Sequence, residues 1–162
     1  MPTAAKLAAG LSAGAVATYA LGLVHDAIYR REDESVHRRE AVLEDHTAPQ
    51  ALGEKLLRLF GERPSEAEIE AAGKVIHWAF GISSGLAYSI FKERSDGGSP
   101  LLGVPFGLAL YVLHLFGVPA LKLSPPSRRF PLQTAVRGLA YHLAYGAVLG
   151  LTYGAFTQTK RR

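Results

Sequence analysis

Four histidines, His25, His77, His114 and His142, stand one apiece in stretches that are otherwise free of charge. A neutral imidazole in apolar surroundings can do three kinds of work. It can bridge helices by a hydrogen bond, a contact worth about 0.6 kcal/mol on average in membrane bundles. It can ligate haem iron, or zinc, copper or nickel. It can also pass protons, because it titrates near neutrality. The remaining two, His37 and His46, fall in a charged stretch and are expected to be solvated. No hydrolase triad, phosphate loop or HExxH pattern accompanies the imidazoles, so no enzymatic chemistry is expected of them.

The elements that must position these side chains are long and apolar. Residues 7–25, 75–91, 97–121 and 138–159 contain no Asp, Glu, Lys or Arg. A helix crossing the hydrocarbon layer needs roughly 17–25 apolar residues, and a soluble bundle would put charge on every outer face. The mean hydropathy of +0.10 conceals this, because charge is segregated along the chain. The expected fold is all-α: a four-helix transmembrane bundle with spans at about 4–25, 73–91, 101–121 and 133–156. A charged, helical extramembrane loop, 27–72, joins the first two spans. A single integral membrane domain, 1–162, follows from the length. Lys6 before an apolar run loosely fits a cleaved signal. A retained span fits better, because Gly10, Gly14, Thr18 and Gly22 form a ladder that a discarded peptide does not need.

Small residues recur every four positions in the other spans too: Gly81 and Gly85, Gly103 and Gly107, and Gly146, Gly150 and Gly154. Such faces let helix backbones approach closely. Residues 73–91 and 138–156 agree at eight of nineteen positions, His77 and His142 among them. With Gly10 and Gly14 matched to Gly103 and Gly107, the chain reads as two parallel helix-pair repeats. The ladders could also serve contacts outside the bundle, making a homo-oligomer or a subunit of a larger membrane complex a reasonable partner, beside the bilayer itself.

Charge shapes the rest. Helix one is expected to continue as a charged helix from Ala27 to Leu43. A short amphipathic helix carries Leu52, Leu56, Leu59 and Phe60, lying on the membrane or covering the bundle mouth, and Gly61 and Pro64 stop it. Ser65 and Glu68 form a capping box that starts the next long helix. Lys92 to Pro100 reads as a polar turn, and Lys160, Arg161 and Arg162 close the chain. Asp26, Lys74 and Arg137 are expected to snorkel at helix ends, with Tyr29 and Trp78 as interface anchors. The loops on the His side hold twelve Lys and Arg against six elsewhere, which favours that side as cytoplasmic, although the first loop also holds twelve acids. No basic stripe with interleaved aromatics suggests nucleic acid. The absence of cysteine excludes thiolate metal sites.

Three blocks resemble the YagU-like inner-membrane proteins (DUF1440): Gly73 to Tyr88 (GKVIHWAFGISSGLAY), the third span with His114 running into Leu123-Ser124-Pro125-Pro126, and Gly138 to His142. The resemblance implies a multi-pass protein of the bacterial plasma membrane with no assigned activity. It carries over no catalytic residues. The function expected is a structural or interaction module packed through small-residue faces. The alternatives are a bis-His haem b or metal protein, with His77, His114, His142 and His25 as candidate ligands, and a conduit for protons or a small solute. The candidate haem pair stays open between His77 with His142, by symmetry, and His114 with His142, by depth.

Overall fold

A computed structural model describes residues 2–61, 63–94 and 100–158. Among these the chain is helical, with no strand: α1 (Thr3–Tyr29), α2 (Glu34–Leu43), α3 (Ala48–Leu59), α4 (Glu66–Arg94), α5 (Gly103–Ala120) and α6 (Leu132–Gln158). Short 3-10 turns, Pro100–Leu102 and Ser127–Arg129, precede α5 and α6. The polar turn expected at 92–100 falls partly, and the basic cluster 160–162 wholly, outside the described residues.

Local chemistry sets these boundaries. Ser65 N–H donates to Glu68 Oε2 at 2.7 Å, and the reciprocal Glu68 N–H reaches Ser65 Oγ at 3.4 Å, so the capping box starts α4. Thr47 and Gln50 make the same kind of box at α3, where Thr47 N–H donates to Gln50 Oε1 at 2.9 Å. The expected continuation of α1 into 30–43 does not occur. Asp33 is extended and accepts from Ser35 N–H at 2.7 Å, an N-cap that begins a separate helix after a turn at 30–33. At the end of α5, Lys122 takes a left-handed φ of 54°, while Leu123 N–H donates back to Val118 O at 3.1 Å. Lys55 Nζ from α3 donates to both freed carbonyls, Leu121 O and Lys122 O, at 2.9 Å each.

The long helices pack in the order α4, α1, α6, α5. Glycine lets the pairs α1·α4 and α5·α6 meet backbone to backbone, because an added Cβ there would collide with the partner helix. At Gly14 it would lie 2.9 Å from Gly81 O and 3.0 Å from Gly85 Cα. At Gly146 it would lie 2.9 Å from Gly107 Cα, and at Gly10 2.7 Å from Ser89 Cβ. Gly103 approaches Gly146 O and Gly150 in the same way. Gly150 and Gly154 are buried, whereas Gly22 has no described atom within 4 Å of such a Cβ. Between α4 and α5 contact passes through rings, with Tyr88 and Phe106 at 5.3 Å.

The two helix pairs cross alike but not in the register of the sequence repeat. Gly14 faces Gly81 O and Gly85 Cα, while Gly107 faces His142 O and Gly146 Cα. Gly85 is therefore the packing counterpart of Gly146, and Gly81 that of His142. The sequence instead matches Gly81 with Gly146, and His77 with His142. Packing is displaced by one helical turn from the repeat.

Of the four spans expected, α1 and α5 are long and apolar enough to cross a membrane. In α4 the charge-free stretch is only 75–91. In α6 the stretch is long enough, but Gly, Tyr, His and Thr dilute its hydropathy.

Candidate functional site

The polar groups gather where α1 and α5 end and α4 and α6 begin. Arg137, in the second turn of α6, is buried. Its guanidinium pairs with Glu32 through Nη1 and with Glu40 through Nη2 at 2.6 Å. Thr134 Oγ1–H donates to the same Glu40 oxygen at 2.5 Å. The Arg137 Cζ also lies 5.1 Å from the centre of the Tyr29 ring. The expected snorkelling arginine is thus enclosed. The reason is that the turn after α1 and the helix α2 fold back over α6 and bring two carboxylates to it. Lys74 and Asp26 keep the exposed positions expected of them. Lys74 pairs with Glu70 at 2.6 Å, and Asp26 with His25 at 3.2 Å.

His37 and His46, expected in solvent, are both mostly covered. The His37 ring stacks on Tyr29 at 3.8 Å, and its Nε2 is buried with no hydrogen-bond partner among the described residues, 3.6 Å from Glu32 Oε2. His46 lies between Glu54 and Glu66, at 3.5 Å and 3.1 Å. A hydrogen bond with Glu66, reinforced by the charges of Glu66, Glu54 and Asp45, raises its pKa above the ordinary 6.5 against a desolvation effect in the opposite direction. Glu44 reaches across to Ser124, whose hydroxyl donates to it at 2.6 Å, and burial raises its pKa. Loop one therefore covers the bundle mouth: α2 lies over the start of α6, and α3 packs on α4, where a Cβ on Gly53 would meet Ala72 Cβ at 2.7 Å.

Beneath this cover, rings continue inward. Tyr29 stacks with His25 at 5.6 Å, and His25 meets Tyr141 edge-on at 5.6 Å. Tyr141 stacks on His142 at 5.0 Å, and both Tyr111 and His114 lie 5.5 Å from that imidazole. His77 stands within electrostatic reach of His25 and His142. Tyr29 is thus not a free interface anchor but the junction between the covering helix and the interior. Trp78 remains 40% exposed on α4.

His142 is the best-defined group here. Its Nδ1–H donates to Gly138 O at 2.7 Å, which leaves Nε2 with the lone pair. That nitrogen could ligate a metal or accept a proton. Of the two pairings left open, the structure brings His114 and His142 into ring contact. No group of three or more His, Asp or Glu among the described residues could surround a metal ion.

Further from the mouth the interior stays polar. Tyr145 O–H donates to Gly81 O at 2.7 Å, and Thr18 O–H to Gly14 O at 2.7 Å. Tyr88 is fully buried, its hydroxyl has no hydrogen-bond partner among the described residues, and Tyr153 lies against it at 5.6 Å. Sequence reasoning missed the roles of Glu32, Glu40 and His37, whose partners are nearly a hundred residues away or in stacked rings, and nothing in their local spacing announces either. Comparison adds no identity: no protein-family model matches the chain, and no curated protein or solved structure matches it either.

Proposed function

We propose that this chain is a four-span protein of the bacterial plasma membrane, akin to the YagU-like proteins, that serves as a structural and interaction module. One observation carries the reading. All four long helices turn large apolar side chains outward, among them Leu23, Phe80, Phe116 and Leu151, while Tyr88, Tyr145, Tyr153, Ser84 and Ser89 are buried. Only 11% of the apolar window of α5 is buried. A soluble core helix has the reverse distribution. Lipid solvates this outer surface, and glycine crossings bring the spans together without needing a hydrophobic drive between them. Carbonate extraction of membranes from expressing cells tests the reading. The protein stays in the pellet if it spans the bilayer, and its release into the supernatant refutes it.

A second reading rests on the ring series from His37 to His114. Titratable side chains in continuous contact, entering the bundle from a charged mouth, suit a proton conduit. In this reading His142 passes protons through its free Nε2. Purified protein in liposomes should then acidify the lumen under a proton gradient, and His142→Ala should reduce that flux at least tenfold. Equal flux in protein-free liposomes removes the conduit reading and leaves the module.

A further inference from the structure

Between α2 and the turn before α6 lies a shallow cleft of about 670 Å³, lined by Ser35, Arg38, Arg39, Val42, Arg129 and Phe130, with Leu43 and Pro131 completing it. Its chemistry is two-sided. Arg38 is answered by Glu34 at 3.1 Å. Arg39, from α2, and Arg129, from the turn before α6, are exposed and have no ion pair among the described residues, so each side of the cleft brings one uncompensated guanidinium. Apart from Ser35 the remaining lining is apolar, and Val42 is 87% exposed.

Directly after Pro131, α6 begins, and Leu132 and Val136 are both exposed one turn apart on one face. Basic groups therefore stand at the head of an outward-facing apolar strip. This arrangement matches an amphiphile with an anionic head and hydrocarbon tails better than it matches a soluble anion, which has no use for the strip. Guanidinium groups also suit phosphate oxygens, with their forked donors. We infer that the cleft holds the phosphate headgroup of an anionic membrane lipid, with the acyl chains running along Leu132 and Val136. The inference rests on the membrane reading above, and it places loop one on the leaflet that carries that lipid. The headgroup would then join α2 to the turn before α6 from outside, while Arg137 joins α2 to α6 from within.

The test uses detergent-purified protein in nanodiscs of phosphatidylcholine with a minor fraction of phosphatidylglycerol, and native mass spectrometry of the lipids retained after disc disruption. Wild-type protein should retain phosphatidylglycerol selectively, and inorganic phosphate added in excess should not displace it. Arg39→Gln with Arg129→Gln should lower selectivity roughly thirtyfold, from the usual contribution of two basic residues at an anionic surface. Val42→Glu, at an exposed position, should lower it as well by placing a carboxylate in the cleft. Arg63→Gln, outside the cleft, should leave it unchanged. Selectivity unaltered in both the double variant and Val42→Glu overturns the inference. Displacement by inorganic phosphate also overturns it and assigns the cleft to a free anion. Failure of the membrane reading itself would be seen earlier, as protein recovered without detergent.

Discussion

The pairs α1·α4 and α5·α6 share a glycine crossing, yet they differ in what stands one turn from it. In the first pair Gly81 faces Gly14, with Thr18 against it; in the second, His142 holds the position packing-equivalent to Gly81. The mouth differs as well. Pair one is covered by α3 through close apolar contact at Gly53 and Ala72, and pair two by α2 through buried charge at Arg137. By the sequence repeat, Arg137 corresponds to Ala72. A repeated ladder thus supports two different chemistries, because a one-turn displacement decides which side chain meets which backbone.

The largest effect should come from filling either crossing. In Gly85→Leu and Gly146→Leu the new side chain meets main chain, which cannot withdraw as a flexible side chain would. Each should lose several kcal/mol and run as aggregate by size exclusion, whereas Gly22→Leu, with open space around it, should stay within about 0.5 kcal/mol of the parent. A tolerated Gly146→Leu beside a disrupted Gly85→Leu would show that the second pair is the looser one.

Arg137→Gln should loosen the cover over pair two. Removing one side of a buried ion pair costs about 3–5 kcal/mol, because Glu32 and Glu40 are left uncompensated. Limited proteolysis should then cut between α1 and α3 much sooner than in the parent protein. Unchanged protection would mean that α2 is held by its other contacts.

The smallest effect concerns His46, which ties the turn between α2 and α3 to the start of α4. Its folded pKa lies above 6.5, so its contribution is complete below about 6.5 and is lost as pH rises through the folded value. Protection of α3 from proteolysis should fall modestly as pH rises through and above neutrality, since Glu66 is largely in solvent and screened. In His46→Gln that pH dependence should vanish, and its persistence would show that His46 does not carry it.

Much of the fold was legible because it depends on local pattern. Charge-free stretches located the four long helices to within a few residues at most ends, and Ser65 with Glu68 marked the start of α4. The end of α1 was misjudged, because the helix-compatible spacing of Glu34 and Arg38 belongs wholly to α2 and does not reveal the break that Asp33 makes by capping just before it. At the site, the four histidines were visible as isolated polar groups in apolar stretches. Their grouping around His142 depends on the packing register, and that register differs by one turn from the repeat. Arg137 resembled any arginine at a helix end, since its two carboxylates are supplied by a segment whose docking no periodicity encodes.

Thr18 gives one of these ladders a property the other lacks. Helices notched at every fourth residue offer the same fit after sliding by one rung, about 6 Å at 1.5 Å per residue. In α1·α4 the Thr18 hydroxyl occupies the notch at Gly81, where even a methyl group would collide with it. It works as a detent, fixing one rung among several that backbone shape alone would allow. At the corresponding rung of α5·α6 the residue in Thr18's place is Tyr111, whose ring lies 3.1 Å from where a Cβ on Gly138 would stand and whose hydroxyl donates to Ala135 O at 2.8 Å, so that pair is set by a ring held at its tip and not by a hydroxyl in a notch.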